Sequence, residues 1–213
     1  MITKQKWAEL VKEWSVVGEC YQIPRRSKDR LKHFCEVCLP HLEGKKVLEL
    51  GCNAGLFGYC IAEVAEAYCG VEPGNKIKKK GKKPKTDYFA QALITERHML
   101  EFNPQVVFFN ETIKEFCKRD VEGTFNAFVA CFALYHFTDK ELNLLKEHVW
   151  PKCDVVIIQN RTQKRPTRHN SYKFWKDKNI VEFFYNQGFC NIEQVPAKGV
   201  DGKQEFSEII CLK

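Results

Sequence analysis

Strand and helix patterns alternate along this chain for five rounds and then give way to two strands close together. That order predicts an α/β fold of three layers around a seven-stranded, mostly parallel sheet. Two local features agree with it. The stretch at 47–58, VLELGCNAGLFG, is a buried strand running into a glycine turn, and residues 125–132 are a continuous apolar run of the kind that a sheet covered on both faces requires. Parallel strands need crossover helices, and open parallel sheets bind ligands beyond the C-terminal ends of their strands. Polar residues just past strand ends are therefore the candidates for function.

The elements follow in order. Lys4–Glu13 reads as a helix because Trp7, Leu10, Val11 and Trp14 recur at helical spacing, and residues 1–45 are expected to form a helical cap on the main domain, 46–213. Residues 16–24 form a turn-rich link. Arg25, Arg26, Lys28 and Arg30 lead into a second helix, with Ser27 as N-cap, Leu31, Phe34, Cys35, Cys38 and Leu39 as its apolar face and Pro40 as its end. The first strand is Lys46–Leu50, the helix after its turn runs from Leu56 to Ala67, and the second strand is Ala67–Val71. A helix at 87–100, a third strand at 105–109 and a short helix at 113–118 come next. The fourth strand, 125–132, leads to a helix capped by Thr138 or Asp139 and ending near His148. A fifth strand at 153–158, a helix at 174–187 stopped by Gly188, and strands at 189–195 and 205–212 complete the chain.

Bulk properties narrow the function classes. With 213 residues, 44% apolar and 13% aromatic, the chain can bury a full three-layer core. No run of 18 apolar residues is present, so membrane spanning is not expected. The eleven cysteines sit largely in apolar contexts, where a thiol serves as a small hydrophobe, and a reducing, cytoplasmic setting is the simplest account. His33, Cys35, Cys38 and His41 have metal-ligand types, but both cysteines fall on an apolar helix face and no metal is expected.

The glycine turn is neither the dinucleotide fingerprint nor a phosphate loop, since the required Gly-x-Gly and Gly-Lys-Ser/Thr spacings are missing. Glu49, Gly51 and Gly55 instead resemble the first motif of class I S-adenosylmethionine-dependent methyltransferases, with Asn53 in place of the middle glycine. Glu72 ends the second strand, 21 residues after Gly51 (72 − 51), and an acid there suits a ribose diol. The resemblance implies the Rossmann-like methyltransferase fold with its last strand antiparallel, and S-adenosyl-L-methionine as cofactor. Its contact set would be Glu49, Gly51, Asn53, Gly55, Glu72, Cys131 and, for the adenine, Asn110 or Glu111. A closer likeness, to the tRNA wobble-uridine carboxymethyltransferase family, lies in Asp29-Arg30, Leu39-Pro40-His41-Leu42, Leu134-Tyr135-His136 and the helix ending in Gly188-Phe189. No arginine in 200–213 matches the one that family uses for its carboxylated cofactor, so plain methyl transfer is expected.

His136 is the candidate base, because its ordinary pKa lies near neutrality, with Tyr135 and Asn160 as positioning groups. The acceptor is read from charge. Seven lysines in 76–85 follow the second strand, and Arg161, Arg165, Arg168 and His169 follow the fifth, with Trp175 as a stacking surface. An RNA acceptor of tRNA type is the first expectation, through loops 76–85 and 161–169. A small-molecule hydroxyl, amine or carboxylate is the second, with Trp7 and Trp14 lining its pocket. A non-catalytic partner subunit of the same fold is the third, motivated by Asn53 and Asn126.

Overall fold

The computed structural model describes residues 2–18, 25–74, 86–119, 125–161, 180–198 and 205–213. A seven-stranded sheet runs through them: β1 (Lys46–Leu50), β2 (Ala67–Val71), β3 (Val106–Phe109), β4 (Ala127–Cys131), β5 (Val155–Arg161), β6 (Asn191–Lys198) and β7 (Glu205–Leu212). Their order is β3-β2-β1-β4-β5-β7-β6. The first five strands are parallel to one another, and β7 lies antiparallel between β5 and β6. The expected α/β sheet and its antiparallel last strand are both present. The strand order reverses between β1 and β4, which leaves a crevice at their C-terminal ends.

Apolar side chains alternate along the strands to feed two cores. Val47, Val129, Cys131 and Ile157 face α1 (Lys4–Val17), α2 (Arg25–Val37), α3 (Leu56–Ala62) and α4 (Tyr88–Met99). Leu48, Phe128, Val156 and Ile209 face α5 (Ile113–Phe116), α6 (Asp139–His148) and α7 (Ile180–Tyr185). Trp150 is fully buried in the second core, edge-on to Phe183 and Phe184. Among the described residues, ten cysteines are free thiols: seven are buried, Cys69 and Cys117 are half-buried, and Cys190 is exposed. Among the described residues, no helix is long and apolar enough to cross a membrane.

Several boundaries differ from the sequence reading, each for a physical reason. The second helix already begins at Arg25, so Ser27 lies inside it and is not its N-cap. The third helix stops at Ala62 and not at Ala67, because Asn103 Nδ2 takes the carbonyls of Ala62 and Ala65 that a longer helix would have used. The fifth strand runs on to Arg161, since its ladder with β7 continues through Gln159 to Glu208 and Asn160 to Ser207. Polar residues that looked like a loop therefore belong to the sheet. Thr138, and not Asp139, caps α6 in a reciprocal box with Glu141. Gly188 stops α7 with φ +87°, and the predicted helical residues 174–179 and the return at 199–202 lie outside the described part.

Asn126 has a structural use. Its side-chain oxygen and its backbone N–H both bond Lys46 at the start of β1, and its carbonyl accepts from Asp154 ahead of β5. It ties three strands together at the end remote from the crevice.

Candidate cofactor and acceptor site

The site is built on the turn after β1. Gly51, Asn53 and Gly55 all have positive φ, at +70°, +51° and +78°. A Cβ on Gly51 would fall 2.8 Å from Ala133 Cβ, and one on Gly55 would fall 2.9 Å from the ring of Phe108. Both glycines are thus fixed twice, by backbone angle and by the closeness of their neighbours. Asn53 tolerates the same left-handed region, and its side chain donates to the Gly51 carbonyl at 3.0 Å. The substitution at the middle glycine keeps the turn and adds a brace within it.

Glu72 lies directly under that turn. Its Oε2 accepts from the backbone N–H of Asn53 at 3.0 Å and its Oε1 from Gly74 N–H at 3.2 Å. Each oxygen keeps a further lone pair, so the carboxylate is oriented but not saturated. Burial raises its pKa, opposed by the hydrogen bonds from Asn53 and Gly74. Glu49 lies two residues before Gly51 and is 1% exposed, with Oε2 accepting from the Tyr68 hydroxyl at 2.6 Å. Burial pushes its pKa up to about 7 against the lowering effect of that bond.

Asn110 and Glu111, which the sequence left as equals, are separated by their surroundings. Glu111 is clasped by Arg119, whose Nε reaches both carboxylate oxygens at 2.9 Å while its guanidinium lies 4.5 Å from the Phe109 ring. Asn110 is exposed, with its side-chain oxygen 3.5 Å from the place a Gly74 Cβ would take. Cys131 points into the first core, 5% exposed beside Glu49, Glu208 and Cys38, and burial drives its thiol pKa well up.

On the acceptor side, the chain leaves β4 through Phe132, a non-glycine residue at φ +55°. The Arg30 guanidinium of α2 lies 4.5 Å over its ring. Leu134–His136 form one 3-10 turn, with His136 exposed. That turn is pressed to the glycine turn through Ala133, so His136 and the candidate cofactor residues share one end of the sheet. Deeper down, Gln159 Nε2 donates to the buried carboxyl of Glu208 across β5 and β7, and the Cys38 thiol reaches the same group. The side chains of Tyr135, Asn160 and Arg161, all of loop 76–85, and Arg165, Arg168, His169 and Trp175 lie outside the described part.

Trp14 is fully buried and lines no open pocket. Its indole N–H donates to Thr95 Oγ1 of α4 at 3.0 Å, and that hydroxyl donates to the Ala54 carbonyl in the glycine turn at 2.5 Å. Tyr68, Phe132, Gln159, Glu208 and Thr95 were not singled out from sequence. Their partners lie far along the chain, and no local motif marks them. Two hollows, of about 640 Å³ beside Asn103 and Gln105 and of about 310 Å³ beside Ala67, Val107 and Arg119, include none of the glycine-turn residues, Glu72 or His136.

The fold matches that of solved methyltransferases. Over 97% of both chains, it superposes on the N-methyltransferase NodS from Bradyrhizobium japonicum, solved with S-adenosyl-L-homocysteine, with TM-score 0.64 and 12% identity. The chain has the class I methyltransferase fold. Magnesium protoporphyrin IX methyltransferase from Synechocystis matches over 98% of this chain and 93% of its own, with TM-score 0.60 and 12% identity. A proposed RNA methyltransferase from Pyrococcus horikoshii matches over 97% and 96%, with TM-score 0.55 and 16% identity. No protein-family model and no curated protein sequence matches the chain.

Proposed function

We propose that this protein transfers a methyl group from S-adenosyl-L-methionine to a small-molecule hydroxyl, amine or carboxylate. The observation that carries the cofactor is Glu72, held under the glycine turn by two backbone N–H groups with a lone pair free on each oxygen for a ribose diol. The donor set and the turn, without a Cβ at Gly51 and Gly55, fit the cofactor: Glu72 would take the ribose, Asn110 the adenine, and Gly51 to Gly55 with Glu49 the amino-acid end. The bound cofactor supplies an already activated methyl carbon, so the protein needs chiefly to align the acceptor in a dry pocket. His136 would accept the proton of a hydroxyl or amine acceptor, while Tyr135 and Asn160 would orient it. The small-molecule reading is favoured by α2, whose Arg30 guanidinium lies 4.5 Å over the Phe132 ring beside the turn that bears His136.

RNA is the second reading, favoured by where its basic loops join the fold. Residues 76–85 follow β2 and residues 162–169 follow β5, so both leave the sheet at the C-terminal end that carries Glu72 and His136.

Labelled methyl transfer into a cell extract, split into low-mass and RNA fractions, tests both. Label in the low-mass fraction, lost in Glu72→Ala, is expected. Label that nuclease releases from the RNA fraction would replace the small-molecule acceptor with RNA. A protein that binds no S-adenosylmethionine would be the non-catalytic partner subunit instead.

A further inference from the structure

Gly58 of α3 and Gly70 of β2 lie outside the cofactor turn, and neither has a positive φ. Backbone angle does not call for glycine at either place; the Tyr68 phenol does at Gly58, and the Phe108 ring together with the Tyr68 hydroxyl does at Gly70. A Cβ on Gly58 would fall 2.2 Å from the hydroxyl oxygen of Tyr68, and one on Gly70 would fall 3.0 Å from it and 2.6 Å from the Phe108 ring. Tyr68 is 1% exposed, and its ring tilts against Phe108 at 5.4 Å between centroids. Its hydroxyl ends at Glu49 Oε2, 2.6 Å away, within the short range of bonds to an ionised oxygen. Glu49 in turn pairs in register with Gly70. Phenylalanine at 68 would fill the same slot without burying a hydroxyl. The slot is shaped to bring one donor to one acid.

We propose that Tyr68 is a positioning residue that holds Glu49 toward the amino-acid end of the cofactor, so that recognition of that end, and not of the adenosine, depends on its hydroxyl. This rests on the cofactor assigned above, and two probes keep the readings apart. S-adenosylhomocysteine carries the amino-acid end; methylthioadenosine has the same adenosine without it.

Calorimetric dissociation constants would be measured for both probes on the full chain, the Tyr68→Phe and Glu49→Gln variants, and the double variant. Tyr68→Phe is expected to weaken S-adenosylhomocysteine roughly ten-fold, the order that loss of one charge-assisted hydrogen bond gives, and to leave methylthioadenosine within about two-fold. In the Glu49→Gln background, Tyr68→Phe should add little, because the hydroxyl acts through the acid. Gly58→Ala, which crowds the hydroxyl, should reproduce the same selectivity. Equal losses for both probes would make Tyr68 a packing residue and overturn the proposal, as would no loss for either or fully additive losses. Failure of the unmodified protein to bind either probe would remove the cofactor itself, and the proposal with it.

Discussion

Glu208 sits in the middle of β7, fully buried, with Gln159 and Cys38 as its partners. Burial lifts its pKa from the ordinary 4.5 to about 8, against the lowering effect of the Gln159 and Cys38 bonds. The sign follows from proton counting. Between those two values the folded state holds a proton that the unfolded chain has released, so stability is greatest below about 4.5 and declines as pH rises through about 8. The slope can reach about 1.4 kcal/mol per pH unit. Urea midpoints taken from pH 5 to 8 should fall, and Glu208→Gln should flatten the trend. An unchanged slope in that variant would place the ionisation elsewhere. At the same scale, Asn53 shows why a departure from a sequence pattern need not mean loss of a site. The left-handed angle survives, and the amide adds a bond that glycine could not make.

Among the elements, α1 bears on the glycine turn through α4. Trp14, Thr95 and Ala54 form a relay in which one hydroxyl serves both an indole N–H and a backbone carbonyl. Thr95→Val preserves the shape but leaves both partners buried and unmatched. A loss of about 1–3 kcal/mol in unfolding free energy is expected, with weaker S-adenosylhomocysteine binding because Ala54 belongs to the turn. Unchanged urea unfolding would mean that water replaces the hydroxyl. This relay also marks the limit of what sequence can reveal. Glu49, Gly51, Gly55 and Glu72 were legible as candidates because they sit at short, fixed spacing around one strand end and turn. Thr95 was not, since its partners lie 81 and 41 residues away. Gln159 was misplaced for a similar reason: its strand continues only because Glu208 lies opposite it.

For the whole molecule, alternation of strand and helix was enough to foresee three layers, because each crossover must bury an apolar face on the sheet. The helices divide as α1 to α4 on one face and α5 to α7 on the other, with the site at the strand order's reversal between β1 and β4. The burial of so many thiols in both layers gives this protein a built-in reporter of opening. A brief pulse of a thiol-reactive reagent on the native protein should modify Cys190 quickly among the described cysteines, and Cys69 and Cys117 more slowly. Cys35, Cys60, Cys153 and Cys211 should react only when their surroundings come apart. Mass spectrometry after pulses in rising urea would show whether the layer of Cys35 and Cys60 opens with that of Cys153 and Cys211. Simultaneous modification is the expected result for one cooperative unit. Separate waves would reveal that the layer bearing the N-terminal helices loosens on its own, giving an acceptor a route to the crevice.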